Sequence, residues 1–149
     1  MTRLTLIAAL VIAVAQPGWA AAKKPKVVCT PANAVEAQQA IRYMTELGVA
    51  TNACSSIGIY ADFRTRNHDA IIDYQKVLIA HFKGAAAFDK WNTSLANAVA
   101  QKQSGVAPMQ FCEHAMPMLE QAKTLDIKAY KAYAAAQAAA DTQTVKCAK

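Results

Sequence analysis

Thr30-Pro-Ala-Asn-Ala-Val-Glu-Ala-Gln-Gln-Ala-Ile41-Arg-Tyr-Met44-Thr-Glu-Leu47-Gly-Val-Ala50-Thr-Asn-Ala-Cys54 decides how this chain folds. Thr30 is a residue type that caps helices, and Pro31 suits a first helical position. Ala34, Ala37, Ile41, Met44, Leu47, Ala50 and Cys54 then recur at helical spacing and form one apolar stripe. Gly48 interrupts propensity but not the stripe. A glycine costs a helix about 1 kcal/mol, less than burying Met44, Leu47 and their neighbours returns. The segment therefore reads as one helix from Pro31 to Cys54.

Downstream the same periodicity continues, and no stretch alternates with the two-residue period of a strand. A second helix is expected over Ile57 to Lys83, with Tyr60, Phe63, Ile71, Tyr74, Leu78 and Phe82 inward and Gly84 as its stop. Arg64, Arg66, His68, Asp69 and Asp73 make its solvent face. A third covers Ala86 to Gln103, burying Phe88, Trp91, Leu95 and Ala98. Pro108 opens a fourth, with Cys112, Ala115, Leu119 and Ala122 on its stripe and Pro117 kinking or dividing it. An alanine-rich segment from Asp126 to Ala140 makes good helix but little core, and is expected to lie across the bundle rather than inside it.

Short connections make neighbouring helices antiparallel, and this order bears on the four cysteines. Cys29 and Cys54 sit at opposite ends of helix one, roughly 37 Å apart at 1.5 Å per residue. A disulfide needs Cα atoms within about 7 Å, so these two cannot pair. Cys54 ends helix one at the end of the bundle where Cys112 opens helix four. The expected bridges are Cys54–Cys112 and Cys29–Cys147. The fold class is thus all-α: an antiparallel bundle of four main helices plus an alanine-rich C-terminal helix, with two disulfides.

Upstream, Arg3, the apolar run Leu4 to Ala15, the Pro17-Gly18 break and the small residues around Ala20 to Ala22 have the order of a secretory signal peptide. The run is about 12 residues, too short for a bilayer core of about 30 Å. Residues 1–22 are read as the signal, with cleavage after Ala20 or Ala22, 23–30 as a tail, and 31–149 as one helical domain. An even number of cysteines in an exported chain also favours disulfides. The expected location is periplasmic or secreted, without stable membrane insertion.

The net charge of +6 over 149 residues would suit a polyanion. Lys23, Lys24 and Lys26 lie in the tail, however, and the other basic residues are scattered without a basic stripe or interleaved aromatics. Nucleic acid is not an expected partner.

The densest candidate site is Met109-Gln-Phe-Cys112-Glu113-His114-Ala-Met116-Pro-Met118. Thioether and imidazole together are soft ligands suited to copper, which makes Met109, His114, Met116 and Met118 the candidate metal set. Against it, Cys112 is assigned to a disulfide and methionines are ordinary fillers of helix interfaces. No Cys-x-x-Cys or haem-attachment pattern occurs, and no cofactor is expected. Ser55, Ser56, His68 and Asp69 supply nucleophile and base types without a motif holding them together. His68 falls on a hydrophilic face, and His81 is placed to meet the last carbonyls of its helix. Asp69 and Asp73 face solvent rather than a cleft. Trp91, Asn92, Leu95 and Asn97 read as helix packing.

Leu47-Gly-Val-Ala50…Cys54, Tyr60-Ala-Asp-Phe63, Phe88…Leu95-Ala-Asn97 and Phe111-Cys112 together resemble a group of small exported helical proteins of alphaproteobacteria. The resemblance spans helices one to four. It implies an envelope protein and carries no catalytic residues. The leading expectation is a non-catalytic exported module that binds an envelope partner or a small ligand. A periplasmic copper-binding protein, an envelope stress chaperone and, last, a hydrolase are the alternatives.

Overall fold

The computed structural model describes residues 29–147. The signal segment 1–22 and the three tail lysines lie outside them. Six helices follow one another: α1 (Ala32–Ala53), α2 (Ile57–Arg66), α3 (His68–His81), α4 (Ala85–Ser104), α5 (Pro108–Thr124) and α6 (Ile127–Ala140). No described helix is long and apolar enough to cross a membrane.

α1 is the axis of the molecule. Ala34, Val35, Ala37, Ala40, Ile41, Tyr43, Met44 and Leu47 are all buried, so apolar residues occupy more than one side of it, as they must in a helix packed around its circumference. It runs through Gly48 unbroken. A Cβ there would come within 3.3 Å of the Tyr60 ring, so the glycine lets α2 cross closely. Its start departs from the expectation. Pro31, not Thr30, is the N-cap residue, and no side chain caps it. Thr30 instead pairs through its backbone with the C-terminal segment, its N–H donating to the Val145 carbonyl at 2.8 Å and the Thr30 carbonyl accepting from Cys147 N–H at 3.1 Å.

The second expected helix is two. Its break falls at Asn67, which is buried on the stripe shared by Phe63, Ile71 and Tyr74. The backbone ladder passes through it, Asn67 to Phe63 and Ile71 to Asn67, each at 3.0 Å, but its dihedrals (φ −107°, ψ 14°) leave the helical range. The cause is a buried amide that has to find partners. Asn67 Nδ2 donates to the Phe63 and Leu125 carbonyls, both at 3.0 Å. Arg66 donates to the Ala122 carbonyl at 2.6 Å. These two side chains therefore satisfy carbonyls at the end of α5 that have no helical N–H to meet.

α3 ends in two reversed hydrogen bonds, Gly84 N–H to Ile79 and Lys83 N–H to Ala80. The left-handed residue that makes this turn is Lys83 (φ 62°), with Gly84 (φ 149°) following it, so the expected glycine stop sits one residue past the turn. Pro117 lies inside α5 without dividing it.

The alanine-rich helix is part of the core, contrary to expectation. Tyr130, Ala134 and Ala138 are buried, and the Tyr130 hydroxyl donates to the Ala40 carbonyl at 2.7 Å. Tyr130 stands edge-on to Phe63 (5.0 Å) and Tyr74 (5.9 Å), with Tyr43 at 6.1 Å. Small residues on α6 allow this close approach to α1, and the two tyrosines supply the buried area that the alanines lack. Burial pushes the Tyr43, Tyr74 and Tyr130 phenols upward, so they remain neutral donors.

Both disulfides are those expected: Cys29–Cys147, with Cα atoms 4.8 Å apart, and Cys54–Cys112, at 5.6 Å. The first ties the two ends of the domain together. The second ties the end of α1 to the start of α5.

Candidate functional site

α4 is the most lightly held helix of comparable length. Only Phe88 and Leu95 are buried along its 20 residues, and Trp91 stacks beside Phe82 at 5.4 Å. Ala98, expected inside, is exposed, whereas Val99 is half-buried. The inward face continues from Leu95 by a four-residue step rather than three.

A cleft opens on each flank of α4. On one side, a groove of about 530 Å³ is walled by Gly48, Val49 and Asn52 of α1, Tyr60 of α2, and Asn92, Ala96 and Ala100 of α4. Asn92 Oδ1 is buried there without a hydrogen-bond partner. On the other side, a cleft of about 270 Å³ lies between α1, α4 and α5. Its walls are Val99, Phe111, Ala115 and Met118, and its polar groups are Glu46, Lys102, Gln103 and His114. Gln103 borders both.

The charged groups of the second cleft are unequal in their surroundings. Lys102 and His114 are exposed, and Glu46 is half-buried. Burial holds the Glu46 carboxyl above the ordinary carboxylate range, offset in part by Arg42 and Lys102. Desolvation wins because the apolar wall disfavours the charged form more than two partly solvated cations favour it.

The four candidate metal residues divide. His114 and Met118, one helical turn apart, share the wall of this cleft. Met116 lies two residues from His114, hence about 200° round the helix, and is exposed (46%) together with Met109 (78%). The His114-Ala115-Met116 triplet therefore points in opposite directions around a buried Ala115. Among the described residues no three His, Cys, Asp or Glu side chains gather in metal-binding geometry.

The other candidates do not converge. His68 Nδ1 lies 3.1 Å from Asp69 Oδ1, both exposed, and Ser55 and Ser56 are at the far end of α2, about 15 Å away by helix length. His81 packs edge-on against Phe82 at 5.0 Å and makes no hydrogen bond to the α3 carbonyls.

Glu46, Val99, Lys102 and Gln103 were not singled out by the sequence. Their signal was weak: a carboxylate beside Leu47 that resembles the other polar residues of its helix, and a valine one step beyond an alanine that fitted the stripe equally well.

No protein-family model matches the chain, and neither the curated proteins nor the solved structures contain a match to it.

Proposed function

We propose that this protein is an exported, non-catalytic helical module that holds a small amphipathic ligand in the cleft between α1, α4 and α5. The carrying observation is the composition of that cleft: four apolar wall residues together with Glu46, Lys102 and His114. Ligand sites commonly combine an apolar wall with a few placed polar groups. Two formed disulfides support an oxidising compartment such as the periplasm or the extracellular medium.

The test is a fluorescence titration with the neutral probe N-phenyl-1-naphthylamine. Wild-type protein should bind it saturably, with a blue-shifted emission. Val99→Trp, which fills the cleft from a half-buried position, should weaken binding at least about tenfold while leaving the helical circular dichroism intact, as a side chain occupying the site requires. Equal binding by a folded Val99→Trp protein would refute the cleft as the site.

Copper binding is a second reading, favoured by His114 and Met118 sharing one wall with Glu46 beside them. A stoichiometric Cu(I) complex, lost in both His114→Ala and Met118→Leu, would place it ahead of the first.

A further inference from the structure

The cleft between α1, α4 and α5 is lined by a titratable or charged group from each of the three helices. Glu46 is faced by cationic or titratable groups from every element packed around it. Arg42 stands one turn earlier on α1, Lys102 approaches from α4, His114 from α5 and the Tyr133 phenol from α6. Tyr133 is itself pushed upward, mainly by burial and then by the Glu46 charge, so it stays a neutral donor. Against one carboxylate stand two permanent cations and an imidazole. Lys102 and His114 are exposed and make no hydrogen bond or ion pair with an acid among the described residues. Their donors are free to meet a ligand at the mouth of an apolar cavity of about 270 Å³.

We propose that this cleft selects an anionic amphiphile, a singly charged carboxylate, sulfonate or sulfate head on a short apolar tail, with Lys102 and His114 meeting the head and Glu46 acting as a proton-controlled gate. The inference rests on the cleft being a ligand site. The tail lies against Val99, Phe111 and Met118. With Glu46 protonated, the rim is cationic and the carboxyl can itself donate to the head. With Glu46 ionised, its carboxylate competes for Lys102 and repels the head across a partly desolvated gap. Because burial holds the Glu46 carboxyl above the ordinary range, this switch falls at a higher pH than for a solvated glutamate. Capture is favoured as the medium acidifies and release as it returns to neutrality.

The experiment compares octanesulfonate, octylamine and octanol by isothermal titration calorimetry on the disulfide-intact protein between pH 5 and pH 8. Octanesulfonate stays ionised throughout, so its pH dependence reports on the protein alone. It should bind best of the three, and more tightly at pH 5 than at pH 8 by up to about tenfold, the scale of one like charge removed from a partly buried site. Glu46→Gln should bind octanesulfonate at pH 8 at least as tightly as wild type does at pH 5, and should lose most of the wild-type pH dependence. Lys102→Met, which keeps the stem and removes the charge, should abolish the preference for octanesulfonate over octanol. Vesicles of phosphatidylglycerol should not bind, since the cleft takes a free molecule.

Equal affinity for the three probes would overturn the head-group assignment while leaving cleft binding standing. Failure of all three to bind would overturn both. An unchanged pH profile in folded Glu46→Gln would remove Glu46 as the gate, and binding to vesicles without binding to free octanesulfonate would move the ligand from solution to the membrane surface.

Discussion

Asn67, fully buried, and Glu46, half-buried, set polar groups against the apolar interior for different ends. The Asn67 amide bonds to the Phe63 and Leu125 carbonyls and so joins the α2–α3 junction to the end of α5. Its Oδ1 is buried without a partner, so the residue carries some cost even in place. Asn67→Ala leaves the Leu125 carbonyl short of a donor, while Phe63 keeps its backbone partner, and opens a small void; it should lower stability by about 2 kcal/mol in urea denaturation. A loss below about 0.5 kcal/mol, the usual range of surface changes, would show the junction to be held by other contacts. Glu46 acts through its proton. Burial raises its carboxyl above the ordinary 4.5, so the folded state binds that proton more tightly than the unfolded chain. The stability it contributes is complete below the ordinary value and is lost as pH rises through the raised one. Glu46→Gln should therefore melt at a higher temperature than wild type at pH 7, with the difference vanishing toward pH 4. A pH-independent difference would contradict the burial argument.

Among the helices, the order of attachment follows from what each one buries. α1 is enclosed by its neighbours, whereas α4 buries only Phe88 and Leu95 and is flanked by clefts on both sides. Regions with few buried contacts open at lower free energy than the core. Native-state hydrogen exchange should find the amides of α4 exchanging ahead of those at the centre of α1, the latter near the global limit. Uniform protection across both would refute α4 as a loosely seated flank.

The positions and ends of the helices were mostly legible because strong periodicity and Pro or Gly punctuation mark them: α1, α4, α5 and α6 fall within a residue or two of expectation. The break at Asn67 was not, because the apolar stripe runs straight through it. A polar residue on that stripe was the available sign. The burial of α6 was misjudged because alanine content speaks of propensity rather than placement, and Tyr130 and Tyr133, both packed on Tyr43, anchor the helix against α1. The cleft was half legible. His114 and Met118 came forward by residue type, but their meeting with Glu46, Val99 and Lys102 depends on how α1, α4 and α5 pack together, which no local pattern encodes.

At the scale of the whole molecule, the two disulfides divide the work. Cys29–Cys147 closes the ends of the domain, while Cys54–Cys112 closes a loop containing α2, α3 and α4 (separations 118 and 58). Cross-linking limits the unfolded chain more than the folded one. Replacing Cys54 and Cys112 together by alanine should reduce stability by about 2–5 kcal/mol, and α4, which lies inside that loop, should lose exchange protection before α6 does. Loss of protection beginning at α6 would reverse the assignment of the two bridges.

The central claim is that α4, lightly buried between α1 and α5, leaves a ligand cleft with them. Its most direct test is a ¹H–¹⁵N correlation titration of the oxidised protein with octanesulfonate at pH 5. Saturable shifts confined to Glu46, Val99, Lys102, Phe111, His114 and Met118 are the predicted result. Shifts scattered over the exposed apolar side chains Ile57, Met109 and Met116, with the cleft residues silent, would contradict it.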